Sequence, residues 1–198
     1  MPKTFSDSER TIIRQRLMDA AGECLIRFGV RKTTVDELVR RANIPKGTFY
    51  LFYESKELLF FEVFQKRYDE VQKKMTSESA GMTQTPNPLE LTELIFSLYK
   101  MAEDSFLLRF ITEGDLDMML RKLPPEVASE YAGRDFFSLE HLISSIPCLN
   151  PYFSKVSGAA LKGVFLSMLH KKEIGEDVFD DALKVMIYGV AILMFSEG

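Results

Sequence analysis

The chain has 198 residues, of which 46% are hydrophobic, and a formal net charge of -4. This length and apolar fraction are enough for a sizeable core. No apolar run is long enough to span a bilayer, and no basic and apolar leader marks the N-terminus for export. We therefore expect a cytoplasmic protein without a membrane partner, which excludes the secreted and membrane classes.

The charge is unevenly distributed along the chain. The first 50 residues contain ten Lys or Arg and six Asp or Glu, a net charge of +4, so the other 148 residues carry -8. A basic end on an acidic protein confines attraction for phosphate to that end. A charge run is also typical of an ordinary solvated face, so this asymmetry alone is a weak indication of a nucleic-acid partner.

The first predicted helix begins at a capping box formed by Ser6 and Glu9. Apolar residues then recur at helical spacing until Gly29, where we expect the helix to end. Cys24 belongs to this apolar face, and Cys148 lies far away among other apolar residues. Both are expected to be buried thiols in a reducing compartment, with a redox switch as the less favoured alternative.

Residues 33–56 predict two short helices joined by a tight turn. Thr34 and Glu37 have the spacing of a second capping box, which fixes a helix start. Asn43 tolerates the left-handed backbone needed where the first helix ends, and Pro45 is expected at the first position of a helix that runs to about Leu51. This arrangement predicts a helix-turn-helix.

The second of these helices carries groups suited to nucleic acid. Lys46, Thr48 and Tyr50 supply a cation, a hydroxyl and a phenol, and Gly47 lets the backbone approach a ligand closely. Phosphates and base edges are recognised by such groups. Ser55 is then expected to cap a longer helix that holds Lys56 beside the same surface.

These residues resemble the DNA-binding domain of TetR-family transcriptional repressors. The resemblance covers the first third of the chain and rests on motifs that occur in order and without gaps: Ala20-Ala21, Gly29, Thr33-Thr34, Lys46-Gly47-Thr48-Phe49-Tyr50, Tyr53 and Ser55-Lys56-Glu57. Three residues depart from the family pattern, since Asn43 replaces Gly, Pro45 replaces Ser and Tyr53 replaces Phe. Only Pro45 affects an expected contact, because proline offers a phosphate neither a hydroxyl nor an N–H.

The resemblance implies an all-α fold of about nine to ten helices, a DNA operator that is approximately palindromic, a homodimer and a small-molecule inducer. It divides the chain into an N-terminal three-helix helix-turn-helix domain, residues 1–55, and a C-terminal ligand-binding and dimerisation domain, residues 56–198, with a shared helix at 55–75. The expected DNA-binding residues are Thr33, Thr34, Arg41, Lys46, Gly47, Thr48, Tyr50, Tyr53 and Lys56.

Further helices are predicted at about 89–103, 104–112, 115–121, 125–145, 153–170 and 176–196. Small residues on the last two favour close approach of two backbones, either within the chain or across a two-fold interface. The interface is the preferred interpretation, since the family forms dimers. Its expected residues are Ala159, Gly163, Ser167, Ala182, Met186 and Gly189.

The middle helices are rich in Phe, Tyr and Met. For any single residue a place in the core is the favoured interpretation, but as a group they resemble the lining of the family's ligand cavity. The expected ligand-binding residues are Phe64, Tyr68, Phe96, Tyr99, Phe106, Phe110, Met118, Phe137, His141 and Met168. For His141 a structural role is preferred. The apolar lining and acidic body favour an apolar or cationic amphiphile as the ligand.

The sequence carries none of the common enzyme signatures. The sequence has no phosphate-binding glycine loop, no serine nucleophile elbow and no Cys or His cluster at metal spacing, so we expect neither catalysis, nor a metal, nor a cofactor. The acids Glu113, Asp115 and Asp117 fail the calcium-loop pattern and predict a solvated loop. A dimeric repressor released by a ligand is thus the predicted function, activation remains open, and a protein-binding adaptor without an inducer is the alternative.

Overall fold

The structure is a computed structural model that describes residues 5–80, 87–103, 106–112, 114–131 and 154–195. It is all-α, as predicted, and no strand occurs in these ranges. The helices are α1 Asp7–Lys32, α2 Val35–Ala42, α3 Lys46–Phe49, α4 Lys56–Ala80, α5 Pro88–Glu103, α6 Leu107–Thr112, α7 Asp115–Leu120, α8 Pro125–Tyr131, α9 Ser154–Ser167, α10 Lys171–Ile174 and α11 Phe179–Phe195. A short 3-10 helix, Met168–His170, follows α9. Of the described helices, none is long and apolar enough to cross a bilayer.

Helix α1 begins as predicted and ends differently. Both halves of the capping box are present, because the Ser6 hydroxyl accepts from the Glu9 N–H and the Glu9 carboxylate accepts from the Ser6 N–H. Gly29 has φ 71° and ψ 179°, so the helix kinks there, but another turn continues to Lys32. The prediction that α1 ends at Gly29 was therefore wrong by one turn, since glycine interrupts the helical geometry without stopping the chain from resuming it.

The structure confirms the predicted conformation of Asn43 in the turn of the helix-turn-helix and corrects the predicted bounds of the helix that follows. Asn43 has φ 53° and ψ 52°, the left-handed conformation predicted for it. Pro45 caps α3 instead of opening it, and the helix ends at Phe49 rather than near Leu51. Thr34 caps α2 by accepting from the Glu37 N–H at 3.2 Å. The Glu37 carboxylate instead accepts hydrogen bonds from Arg40 and Arg41, because a charged donor makes a stronger hydrogen bond than a backbone N–H.

Two compact units make up the chain. One consists of Met1–Tyr68 and Ser105–Arg134, and the other of Asp69–Asp104 and Asp135–Gly198. Fully buried Leu17, Leu38 and Phe49 join α1, α2 and α3 in the core of the first unit. Helix α4 contains residues of both units and extends one turn beyond the predicted end at 75. The division of function at residue 55 stays a proposal.

The second unit is built on α5, α9 and α11. Its core contains Leu91 and Ile95 of α5, Leu161 of α9 and Leu183 and Ile187 of α11, each fully buried. The predicted helices at 89–103, 153–170 and 176–196 correspond to α5, to α9 with its 3-10 extension, and to α11. Burying apolar surface stabilises such a core by about 25 cal/mol for each Å² removed from water.

Candidate DNA-binding surface

A buried aromatic side chain fixes the orientation of α3. Phe49 is completely buried, while its neighbour Tyr50 is 52% exposed and meets the Phe49 ring edge-on at 5.3 Å. The Thr48 N–H donates to the Pro45 carbonyl at 2.9 Å, which closes the first turn of the helix. The four-residue helix therefore presents one face to the core and the opposite face to solvent.

The solvent face carries the residues that the sequence predicts for DNA recognition. Lys46, Gly47 and Tyr50 are exposed and Thr48 is half-buried, all within one short helix and the residue after it. A Cβ added at Gly47 would meet no atom of the protein within 4 Å. The fold itself therefore does not require glycine at this position.

Lys46 is held by a neighbouring acid that the sequence analysis did not single out. Its ammonium lies 2.9 Å from Oδ1 and 3.1 Å from Oδ2 of Asp36, in the first turn of α2. The hydrogen bond to Asp36 raises the pKa of Lys46, so the lysine is firmly charged. Both side chains are more than half exposed.

Arg41 is committed to bonds within the protein. Its Nε donates to Glu37 at 2.6 Å, its Nη1 donates to Glu23 at 3.0 Å, and its guanidinium lies over the Phe28 ring. Only 18% of its side chain is exposed, compared with 70% for Arg40. These contacts join α2 to α1 through the Arg41 side chain. The predicted contact of Arg41 with DNA stays a prediction.

Two other predicted DNA contacts lie inside the fold. Thr33 is 1% exposed, and its hydroxyl donates to the Gly29 carbonyl at 2.8 Å. Tyr53 is 7% exposed and donates to Glu62 at 2.9 Å. Burial, and then this hydrogen bond, raise the pKa of Tyr53 above its usual range. Their side chains support the helix-turn-helix from within, whereas Thr34 remains exposed at the start of α2.

The Tyr53 hydroxyl explains one departure from the family pattern. Glu62 of α4 accepts from Tyr53 and also from Nε and Nη2 of Arg14, at 3.0 and 2.8 Å. The Arg14 guanidinium lies 5.8 Å from the Tyr53 ring centroid. A phenylalanine could not make the hydroxyl bond, so the tyrosine ties the turn after α3 to both α1 and α4.

Lys56 is partly buried beneath the helix-turn-helix. Its ammonium donates to the Val30 carbonyl at 2.9 Å and to the Thr33 carbonyl at 2.6 Å. Burial lowers its pKa. Because two of its three N–H groups hold backbone carbonyls that follow the kink in α1, Lys56 acts as a cap for that helix, and its predicted role as a phosphate contact stays a prediction.

Replacing Lys56 with Met is expected to destabilise the fold by about 1–3 kcal/mol, because the charged donor to two backbone carbonyls is lost. Urea unfolding monitored by circular dichroism measures this change. Lys32→Met is the matched control, since Lys32 is exposed at the same end of α1 and should change stability by less than about 0.5 kcal/mol. Equal midpoints for both variants would contradict the capping role.

Asp115 was predicted to lie in a solvated loop, and this was wrong. It is 8% exposed, its Oδ2 accepts from the Val30 N–H at 3.1 Å, and its Oδ1 lies 3.6 Å from Nε of Arg31. A buried carboxylate is retained only when donors satisfy it, and the kink at Gly29 frees the Val30 N–H for this purpose. Asp117 is exposed, and Glu113 lies outside the described residues.

The expected ligand-binding aromatics occur in both units. In the first unit, the Phe64 ring stacks on Phe110 at 5.2 Å and on Tyr68 at 5.9 Å, and Phe106 meets Phe110 at 5.6 Å. Met118 is half-buried. Phe137 and His141 lie outside the described residues. Close ring packing of this kind is also what a solid core requires, so the ligand assignment stays a prediction.

In the second unit, Tyr99 and Met168 are buried and Phe96 is half-buried. The Tyr99 hydroxyl donates to the Leu161 carbonyl at 2.6 Å, and its ring meets Phe165 at 5.0 Å. The phenol proton is therefore used within the protein. Lys184 lies over the Phe96 ring at 4.6 Å.

The expected interface residues are only partly exposed. Ala159, Gly163 and Gly189 are exposed, whereas Ser167, Ala182 and Met186 are half-buried. The exposed apolar face of α11 lies about one residue away from the predicted stripe, and it consists of Val185, Tyr188, Ile192 and Leu193 together with Gly189. Val156 and Leu166 extend the corresponding face of α9. The spacing of small residues does not indicate these larger residues, which the fold leaves exposed beside them.

Comparison with known proteins identifies the helix-turn-helix. Residues 17–63 match the family model described as bacterial regulatory proteins, tetR family. The uncharacterized HTH-type transcriptional regulator YhgD of Bacillus subtilis is 36% identical over 61 residues, 31% of this chain and 32% of that protein. The HTH-type transcriptional repressor DhaR of Mycobacterium sp. is 31% identical over 68 residues, 34% of each chain. These matches span about a third of each relative's length.

The similarity of fold extends over nearly the whole chain. The crystal structure of a putative TetR-family transcriptional regulator from Mesorhizobium loti aligns over 96% of this chain and 98% of its own. The TM-score is 0.63 at 18% sequence identity, which is evidence for the fold alone. The matched family model and the relatives agree with the helix-turn-helix built by α2 and α3, and residues 17–63 form a DNA-binding domain of the tetR family of bacterial regulatory proteins.

Proposed function

We propose that the protein is a sequence-specific DNA-binding transcriptional regulator that acts as a dimeric repressor and is released from its operator by a small molecule. The observation that carries the DNA-binding part is the outer face of α3 with the residue that follows it, where Lys46, Gly47, Thr48 and Tyr50 are presented around a helix anchored by buried Phe49. A helix of this kind enters the major groove, where side chains read base edges and contact phosphates. Whether the protein represses or activates depends on where its operator lies relative to the promoter.

DNA binding with a steep salt dependence is the test. A duplex selected by the protein from a random-sequence library serves as operator, and a scrambled duplex of the same composition serves as control. Each phosphate that a Lys or Arg neutralises contributes about -0.9 to the slope of log affinity against log salt. We expect tighter binding to the selected duplex and a clearly negative slope. Failure to select any sequence would overturn the proposal in favour of the adaptor.

Replacing Gly47 with Ala is expected to stabilise the free protein and weaken its complex with DNA. Alanine favours a helix by up to about 1 kcal/mol relative to glycine, and the added methyl meets no protein atom within 4 Å. The same methyl would stand between the backbone of α3 and DNA. Urea unfolding and operator binding together measure the two effects. A variant that is more stable and binds normally would show that the backbone does not approach the DNA closely.

A second copy of the chain is the proposed occupant of the apolar face on α9 and α11. Val156, Val185, Ile192 and Leu193 are each at least 43% exposed in the single chain. The opposite face of α11 is buried against its own unit, so this helix is apolar on both sides. A helix that is apolar all round is normally covered all round.

Dimerisation also follows from what specific recognition requires. A single short helix contacts too few base pairs to distinguish one site in a genome. Two copies related by a two-fold axis would read two half-sites about 34–36 Å apart, or somewhat more, on an approximately palindromic operator. A Cβ at Gly163 meets no atom within 4 Å, so the surface of α9 has room for a close helix neighbour.

The inducer is proposed to bind among the aromatic residues and to act through α4. This helix begins at Lys56 beneath the helix-turn-helix and continues through Phe64 and Tyr68, whose rings stack. A ligand shifts an equilibrium only if it binds one state more tightly than the other. Coupling of about 1–3 kcal/mol would lower operator affinity about 5- to 150-fold.

Linkage provides a direct test of the inducer. Amphiphilic cations of different chain lengths are titrated into free protein and into the operator complex by calorimetry. A compound that weakens operator binding by a given factor should itself bind the complex more weakly by the same factor. Equal affinity for both forms would show that the compound does not act as an inducer.

A further inference from the structure

Asp36 is an acidic side chain in the surface that α2 and α3 present. Its neighbour in sequence, Glu37, is neutralised by Arg40 and Arg41. Asp36 instead faces Lys46, with both carboxylate oxygens within 3.1 Å of the ammonium. Asp36 is 71% exposed, so its charge is directed at the same solvent from which DNA would approach.

An acid in this position changes what Lys46 can bind. A phosphate that contacts the Lys46 ammonium would lie within about 6 Å of the Asp36 carboxylate, which is less than the screening length of about 8 Å at physiological salt. The two negative charges would repel each other. A base edge such as the guanine O6 and N7 atoms is a neutral acceptor, so a lysine held by a carboxylate can still donate to it.

The ion pair is also weak enough to be rearranged on binding. Exposed pairs of this kind shift an equilibrium by no more than about fivefold. The carboxylate can therefore orient the ammonium without preventing contact with DNA. It can also accept a hydrogen bond from a cytosine N4 amino group.

We propose that Asp36 is a specificity-determining residue: it directs Lys46 toward base edges and lowers affinity for DNA that lacks the operator sequence. This role rests on the proposed function and extends it to a residue of α2. The competing explanation is that Asp36 only stabilises α2, since acids in a first helical turn interact favourably with the helix dipole. That explanation predicts a change in stability and no change in sequence discrimination.

The experiment uses the selected and scrambled duplexes with the full chain. The variants are D36N, K46M and the double variant, and D19N is the matched control because Asp19 is an exposed acid on α1. D36N should bind the scrambled duplex about three- to fivefold more tightly and the selected duplex less than twofold more tightly. Its salt slope on the scrambled duplex should steepen by about 0.9, since Lys46 then neutralises a phosphate. D19N should affect both duplexes equally.

The double variant tests whether Lys46 mediates the effect. In the K46M background, D36N should change binding no more than D19N does in the wild type. Equal tightening of D36N on both duplexes, or an unchanged effect without Lys46, would overturn the role of Asp36. Urea unfolding of D36N measures the helix-dipole contribution separately. If the wild type does not distinguish the two duplexes, that result contradicts the proposed sequence-specific function itself, independently of any variant of Asp36.

Discussion

Replacing Val185 with Glu is expected to give a monomer whose operator affinity is lower by about 100-fold or more. Val185 is 70% exposed in the single chain, so the substitution should leave the monomer folded. In the proposed dimer the same position faces the second copy, where a buried carboxylate without a partner costs several kcal/mol. A monomer contacts one half-site only and loses the affinity that two linked contacts provide.

Light scattering gives the oligomeric state, and titration of the selected duplex gives the affinity. Leu89→Glu is the matched control, because Leu89 is 63% exposed on α5 and lies outside the face on α9 and α11. Gly163→Leu is a second variant that adds no charge, and it should also separate the paired helices. A Val185→Glu protein that remains dimeric would place the interface elsewhere.

Replacing Tyr50 with Ala is expected to weaken operator binding by about 1–3 kcal/mol, or about 5- to 150-fold. The side chain is 52% exposed, directly follows α3, and is the largest of the side chains proposed to contact DNA from α3 and its C-cap. Its loss removes both a hydroxyl and an aromatic surface from the major groove. Because Phe49, and not Tyr50, anchors the helix, the stability of the free protein should change little.

The comparison of two duplexes separates base recognition from general attraction. Tyr50→Ala should lose affinity for the selected duplex and little for the scrambled one, since phosphate contacts by lysine and arginine are retained. Tyr50→Phe distinguishes the hydroxyl from the ring. An equal loss on both duplexes would show that Tyr50 contacts the DNA backbone and does not read the sequence.

The start and turn signals of the helix-turn-helix could be predicted because they act over one to four residues. The Ser6 capping box and the left-handed Asn43 are properties of the chain next to them, and both occur in the structure. The predicted start of α3 was one residue too early, because Pro45 is the N-cap and not the first helical residue, and proline is compatible with either position.

The residues that support this surface could not be predicted from local spacing. Asp115 binds the Val30 N–H across 85 residues of sequence, and Glu62 joins Tyr53 to Arg14. Motif matching likewise assigned Thr33 and Tyr53 to DNA, although their hydroxyls are used inside the fold. A motif records which residue types recur, but burial decides which atoms remain available to a partner.

The sequence by itself determined the helical class, the position of the turn and the outward set Lys46, Gly47 and Tyr50, because capping, backbone preference and helical period are local properties. The tertiary structure alone decided which charged side chains are bound within the protein and which remain available to contact DNA. It pairs Lys46 with Asp36, encloses Arg41 between two glutamates and places Lys56 beneath α1 as a cap. Electrostatic and hydrogen-bond partners are set by distance in space, which residues remote in sequence reach only after the helices have packed.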